Sequence, residues 1–163
     1  MRTLRLELPC LPPSLGVDGH WIGVHDGDQR ALAIFKRHYS YRRRTGGQAR
    51  GNPTFVGQGE KMVLLTIDCK ALFTWQRSTI ARNSGQHGVN CTVFRNEGPV
   101  RSSDLILEAE ALAWQRWPGQ RLFTYVCPAK VKSVNPGYCF KMAGWKQCGR
   151  NADGRLIILE KLP

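Results

Sequence analysis

The residues best suited to chemistry in this chain are Arg95-Asn-Glu-Gly-Pro-Val-Arg101, followed at once by Ser102 and Ser103. Gly98 allows close backbone approach, and the leading N–H groups of a helix that starts here have no intrahelical acceptor. Such a loop can cradle a phosphate, with Arg95 or Arg101 adding charge. The lysine and Ser/Thr of the GxxxxGK[ST] nucleotide loop are absent, so this is not a P-loop. Taken alone, the loop is read first as the ordinary capping of a buried helix, and the phosphate use needs further support from the rest of the chain.

A second constellation is basic and aromatic. Arg42, Arg43 and Arg44 follow His38, Tyr39 and Tyr41, and Arg50 sits in the Gly-rich stretch that ends at Pro53. Flexible arginines beside aromatic rings suit phosphate contacts with stacking on bases, and suit a solvated surface as well. The whole chain has 24 Lys and Arg against 12 Asp and Glu, a formal charge of +12 on 163 residues. That bias favours a polyanion: nucleic acid, an anionic membrane surface or a phosphate-rich cofactor. No apolar run approaches the roughly 20 residues that span a bilayer, which removes the membrane-embedded class.

The six cysteines show neither CxxC nor closely spaced Cys/His pairs, so no metal is expected. Several fall within expected strands or helices, and the chain shows no charged start followed by an apolar signal core. A reduced, cytoplasmic protein is therefore expected. His20 and His25 flank Trp21 at a spacing wrong for one helical face and read as surface loop residues.

The elements that must position the loop form a βαβ unit. Val89 to Phe94 reads as a strand, Gly98 and Pro99 stop it, and Ser102 and Ser103 are natural N-caps with Asp104 near the positive helix end. Leu105, Ile106, Ala109, Leu112, Ala113 and Trp117 recur at helical spacing, Pro118-Gly119 ends the helix, and Leu122 to Cys127 is the second strand, expected parallel to the first. Residues 1–28 read as an arm or loop with room for a short strand at Leu4 to Leu8, and residues 29–163 as a single domain.

Within the latter, a helix is expected over Gln29 to Arg44, strands at Phe55-Val56 and Lys61 to Asp68, and a short helix or irregular lid over Lys70 to Ile80. Pro136 to Ala143 reads as a short helix stopped by Gly144. Trp145 to Cys148 and Arg155 to Lys161 read as strands around the hairpin signal Asn151-Ala-Asp-Gly154.

The order strand, R-x-x-G loop, long helix, strand, short helix and final hairpin, over Lys61 to Lys161, resembles the GNAT acetyltransferase superfamily. Its [QR]-x-x-G-x-[GA] pattern is matched by Arg95 to Pro99, with Val100 in place of the last small residue. Its Asn-led helix ending in Tyr-x-x-x-Gly-Phe looks like Asn135 to Trp145. The resemblance implies an α+β fold: a central mixed, mostly antiparallel sheet with a parallel βαβ unit and flanking helices. It also implies acetyl-coenzyme A or another acyl-CoA as cofactor. Phe94, Arg95, Gly98, Val100, Arg101, Ser102, Ser103 and Asn135 would bind it, with the pantetheine arm between the two parallel strands.

Phe140 stands where many members have a tyrosine that protonates the thiolate, and Tyr138 is the nearest hydroxyl. His38, Glu97 and Asp68 are candidates to take the proton of an acceptor amine, and Ser133 is placed to contact coenzyme or substrate.

The segment ending in His38-Tyr39-Ser40, the Phe94 to Gly98 loop, the serine pair and Asn135 to Phe140 are similar to small GNAT-related proteins of phages and mobile elements, among them the Mom-type DNA-modification proteins. That implies transfer to the exocyclic amine of adenine in DNA, protecting phage DNA from restriction. DNA and coenzyme A would be the partners, and Tyr39, Tyr41, Trp75 and Tyr138 are candidate stacking platforms, whereas Trp114 and Trp117 are expected in the core. Two alternatives stay open: another acceptor (protein, RNA or a small amine), and a non-catalytic nucleic-acid-binding module on a degenerate scaffold.

Overall fold

The computed structural model describes residues 19–42, 54–78 and 85–163. Its elements are β1 (Trp21–Val24), α1 (Gln29–Phe35), β2 (Glu60–Thr66), β3 (Ala71–Arg77), β4 (Val89–Asn96), α2 (Ser102–Arg116), β5 (Leu122–Val126), α3 (Tyr138–Met142), β6 (Lys146–Arg150) and β7 (Ile157–Lys161). The seven strands form one mixed sheet in the order β1-β2-β3-β4-β5-β7-β6. Every neighbouring pair is antiparallel except β4 and β5, which are parallel. The fold is therefore α+β, and no helix among the described residues is long and apolar enough to cross a membrane. Arg43, Arg44, Arg50 and the Leu4 to Leu8 strand lie outside the described residues.

The central strands are apolar on both faces because helices cover both faces. Along β2, Met62 and Leu64 enter the core beneath α2, while Val63 and Leu65 enter the core beneath α1. The same division explains a difference from the sequence reading: Ala71 to Arg77, expected as helix or lid, is a central strand. A strand buried on both sides loses the period-of-two alternation that marks strands. Phe73 and Trp75 face α2, and Leu72 faces α1.

Part of the expected N-terminal arm is also strand. Trp21 to Val24 pair with Thr66 to Val63 of β2. The Trp21 ring meets Phe73 edge-on at 6.2 Å, and its Nε1 donates to Leu105 O at 2.9 Å. His20 is not a free loop residue: its N–H donates to Glu108 at 2.9 Å and its ring Nδ1 lies 2.6 Å from the same carboxylate.

Helix α1 starts where Asp28 accepts from the Arg30 and Ala31 N–H groups. It stops at Phe35, short of the expected Arg44. Phe35 stacks on Phe55 at 4.7 Å and meets Tyr41 edge-on at 5.5 Å, so the chain folds back over its own aromatic end. Phe55 and Val56 are not strand residues; both N–H groups donate to Asp26, which also pairs with Lys61.

Helix α2 packs Ile106, Ala109, Ala113 and Trp117 on the sheet, and Trp75 Nε1 donates to Ala109 O at 3.0 Å. Trp117 is core and Trp114 half-buried against it. Gly88 has φ +117°, and a Cβ there would lie 2.2 Å from Arg121 O, so only glycine lets β4 begin this close to β5. Glu110, 2% exposed, joins α2 to the last strand through Lys161 and to Trp145. Helix α3 begins after Gly137, slightly later than expected. Gly144, at φ +89°, ends it in the left-handed conformation its position suggested, and β6 and β7 pair around Asn151 to Gly154.

Candidate functional site

The parallel pair is hydrogen-bonded at one end only. Val89, Asn90 and Cys91 of β4 match Leu122, Phe123 and Thr124 of β5, and no pairing follows although β4 runs on to Asn96 and β5 to Val126. The parting begins beside a bulge. Thr74 matches Val93 and Trp75 matches Cys91, which leaves Thr92 as the extra residue of β4. The bulge puts Cys91 in the core under α2 and Val93 in the core under α1, and re-aims the strand away from β5. Thr92 and Thr74 hydroxyls bond at 2.6 Å across it.

Beyond the bulge, Asn96 organises the loop. Its Oδ1 accepts from Gly98 N at 2.9 Å, and its Nδ2 donates to Val100 O at 2.7 Å and to Ser102 Oγ at 3.0 Å. The sequence reading treated Asn96 as a spacer; an Asn two residues before a glycine, closing an Asx turn, was the available signal. Glu97 N donates to Lys70 O at 2.8 Å, and a Cβ on Gly98 would lie 3.1 Å from Lys70 Cβ, so the loop is seated on the β2–β3 turn.

Ser102 and Ser103 are not N-caps. Arg101 holds that position with φ −60° and ψ 132° and makes no side-chain capping bond; the serines lie inside the first turn, Ser103 buried. A cavity of about 300 Å³ adjoins the loop, lined among others by Asp68, Asn96, Gly98, Val100 and Leu105.

The chain that leaves α1 crosses the opening between β4 and β5. Arg37 forms a fork with Glu97 at 2.6–3.1 Å, and Arg95 Nε meets Glu97 at 2.6 Å. Hydrogen bonding from Arg37, with further help from Arg95, holds the Glu97 carboxyl down at about 2. Glu97, expected as a base, is thus a clamp between α1 and β4 and a poor proton acceptor at neutral pH.

His38 stacks on Tyr39 at 4.3 Å, and its Nδ1 lies 2.7 Å from Ser40 Oγ. Burial, and then the Arg95 charge, lower the imidazole to about 4, so it is neutral at pH 7. The Tyr39 phenol lies against the Cys127 backbone just past β5, and partial burial raises it, so it keeps its proton. Residues Arg37 to Tyr39 therefore reach from the end of β4 to the end of β5.

Other expected site residues are elsewhere or differently employed. Tyr138 is 54% exposed at the start of α3, and exposed Asn135 accepts from Lys141 Nζ at 2.6 Å. Phe140 is core, packed on Phe94, Phe73 and Trp145. Phe94 serves the core as well, half-buried against Phe73. Trp75 is fully buried and is not a stacking platform.

Asp68 accepts from Thr66 Oγ1 and Lys70 N, and the Thr66 bond leads in lowering its carboxyl. Ser133 bonds locally to Asn135, and Arg42 is exposed. Among the described residues no group of three or more His, Cys, Asp or Glu is placed to hold a metal ion. The described cysteines are free thiols, and burial pushes the Cys91 thiol up. Comparison with protein-family models and with curated proteins finds no match for this chain.

Proposed function

We propose that this chain is a GNAT-type, acyl-CoA-dependent transferase whose acceptor is a DNA base, the exocyclic amine of adenine, and that the modification shields phage or mobile-element DNA from restriction. The observation that carries the reading is the parting of the lone parallel pair after Cys91 and Thr124, directly before a glycine loop and a 15-residue helix that lacks a side-chain cap. Past Cys91, β4 has no ladder partner on the side that faces β5 among the described residues, which suits the amides of an extended pantetheine arm lying as a surrogate strand. The residues present fit such a cofactor: the leading N–H groups of α2, with no side-chain cap, and exposed Arg101 suit a pyrophosphate.

The bound cofactor would supply the activated acyl group. The chain's own residues would do the rest. His38, neutral at pH 7 and held at about 4, would take the amine proton as a weak base on Nδ1 in exchange for its bond from Ser40 N at 3.2 Å, and Tyr39 holds a protonated hydroxyl beside Cys127. Net charge +12 supplies phosphate affinity, and a base reaching this mouth must leave the duplex stack.

A non-catalytic nucleic-acid module is the second reading, favoured by the burial of Phe140 and the clamping of Glu97 by two guanidinium groups. Calorimetry with acetyl-CoA separates them: the enzyme reading expects saturable binding below millimolar ligand, and silence there defeats it. Mass analysis of nucleosides from DNA of cells expressing the protein tests the acceptor, and an unmodified adenosine pool beside folded, coenzyme-binding protein counts against adenine.

A further inference from the structure

We propose that the connection between β5 and α3 is a DNA-engaging loop, in which Lys130 and Lys132 hold backbone phosphates and Val134 enters the base stack at the step from which a base is withdrawn. The inference rests on the nucleic-acid reading above and adds the surface and the residue that make extrusion feasible.

Val134 is the most exposed of the large hydrophobics, at 104% of its reference area. Its exposure is built into the loop. Val131 packs against the core under α2, a turn bonds Lys130 N to Cys127 O at 3.1 Å, and Ser133 Oγ bonds the Asn135 N–H at 3.2 Å. Asn135 is tied in turn to Lys141 at 2.6 Å. The tip is pinned on both sides, and the one apolar side chain between the pins points away from the protein.

Lys130 and Lys132 are exposed and make no ion pair among the described residues, so two uncompensated cations lead into the apolar tip. Cations around an exposed aliphatic group match phosphates around a base step, the arrangement by which apolar wedges open duplexes. The half-exposed ring of Tyr138 lies just beyond the tip in sequence. At its other end the loop starts from Cys127, against which Tyr39 rests, which joins the loop to the mouth between β4 and β5.

The test uses the full chain and a duplex carrying 2-aminopurine, whose fluorescence rises on unstacking, with anisotropy for affinity and thermal melts to show that each variant folds. Wild type is expected to bind with a fluorescence rise. Lys130→Ser/Lys132→Ser should weaken binding and reduce the slope of log K against log salt by about 1.8, or about 0.9 for each phosphate that is no longer neutralised. Val134→Ser should keep the salt slope, and affinity within about threefold, yet lose the fluorescence rise; its binding to single-stranded DNA, which needs no unstacking, should match wild type.

Duplex binding by wild type with both variants indistinguishable from it overturns the loop and leaves the DNA acceptor standing. A fluorescence rise that survives Val134→Ser overturns the wedge. Absence of wild-type binding to duplex DNA overturns the acceptor reading and this inference together.

Discussion

Replacing Lys161 by Met tests whether the sheet and α2 are joined by a buried charge pair. Glu110 is 2% exposed; Oε2 takes the Lys161 ammonium at 2.6 Å and Oε1 takes Trp145 Nε1 at 2.5 Å. Lys161 Nζ also donates to Ala143 O at 2.7 Å, so one ammonium holds α2, the end of α3 and β7. Lys161→Met leaves a buried carboxylate with one neutral donor. Breaking a buried pair from one side costs about 3–5 kcal/mol, a large part of the roughly 5–15 kcal/mol that holds a domain together. At about 2–4 °C per kcal/mol for this size, the melting temperature should fall by roughly 6–20 °C.

Adding Glu110→Gln removes the second charge and keeps an oxygen for Trp145, so the double variant should recover to within about 1–2 kcal/mol of wild type. Urea unfolding followed by tryptophan fluorescence reads both. A Lys161→Met cost below about 1 kcal/mol, or a double variant no more stable than that single one, would refute the claim that an uncompensated buried charge sets the penalty.

Three further outcomes are expected. His38 should titrate near 4 by NMR rather than at the ordinary 6.5; because the folded value is depressed, its contribution is complete above about 6.5 and is lost as pH falls toward 4, and His38→Gln should remove that part of the pH slope. An unchanged slope, or titration at 6.5, contradicts the burial argument. Gly88→Ala should cost more than about 2 kcal/mol, because its Cβ would meet Arg121 O at 2.2 Å in addition to the strain of φ +117°. Gly119→Ala, at φ +71° with nothing within 4 Å, should cost only the ~1–2 kcal/mol of left-handed strain, and equal costs would show that the close approach is irrelevant. Asn96→Ala should weaken acetyl-CoA binding about tenfold, equivalent to about 1.4 kcal/mol, by loosening the turn it closes at Gly98, Val100 and Ser102; calorimetric affinity equal to wild type would separate the loop from the cofactor.

The βαβ unit was legible because its signals are local: an extended Val89 to Phe94 run, a Gly-Pro stop and a helical repeat from Leu105 to Trp117 are each visible in a short window. The turn residues were legible for the same reason, as Gly144 and the Asn151 to Gly154 hairpin show. Trp21 to Val24 and Ala71 to Arg77 were not: the first becomes a strand by pairing with β2, far along the chain, and the second is buried on both sides, which erases the alternation that marks a strand. The end of α1 at Phe35 was hidden likewise, because Phe55, which stacks there, is remote in sequence.

At the candidate site, the order of amino acids was enough to specify which residue types gather near the loop: a glycine that permits close approach, flanking arginines, serines at a helix start and a strongly positive chain. What each of them can do was set by folding. Packing turned Glu97 from a candidate base into an arginine clamp, placed Phe140 in the core, made Asn96 the keystone of the loop and brought His38 and Tyr39 to the mouth between β4 and β5. Protonation state and reach depend on neighbours in space rather than along the chain. A carboxylate's partners and a strand's parting are fixed by packing between segments that come together only on folding.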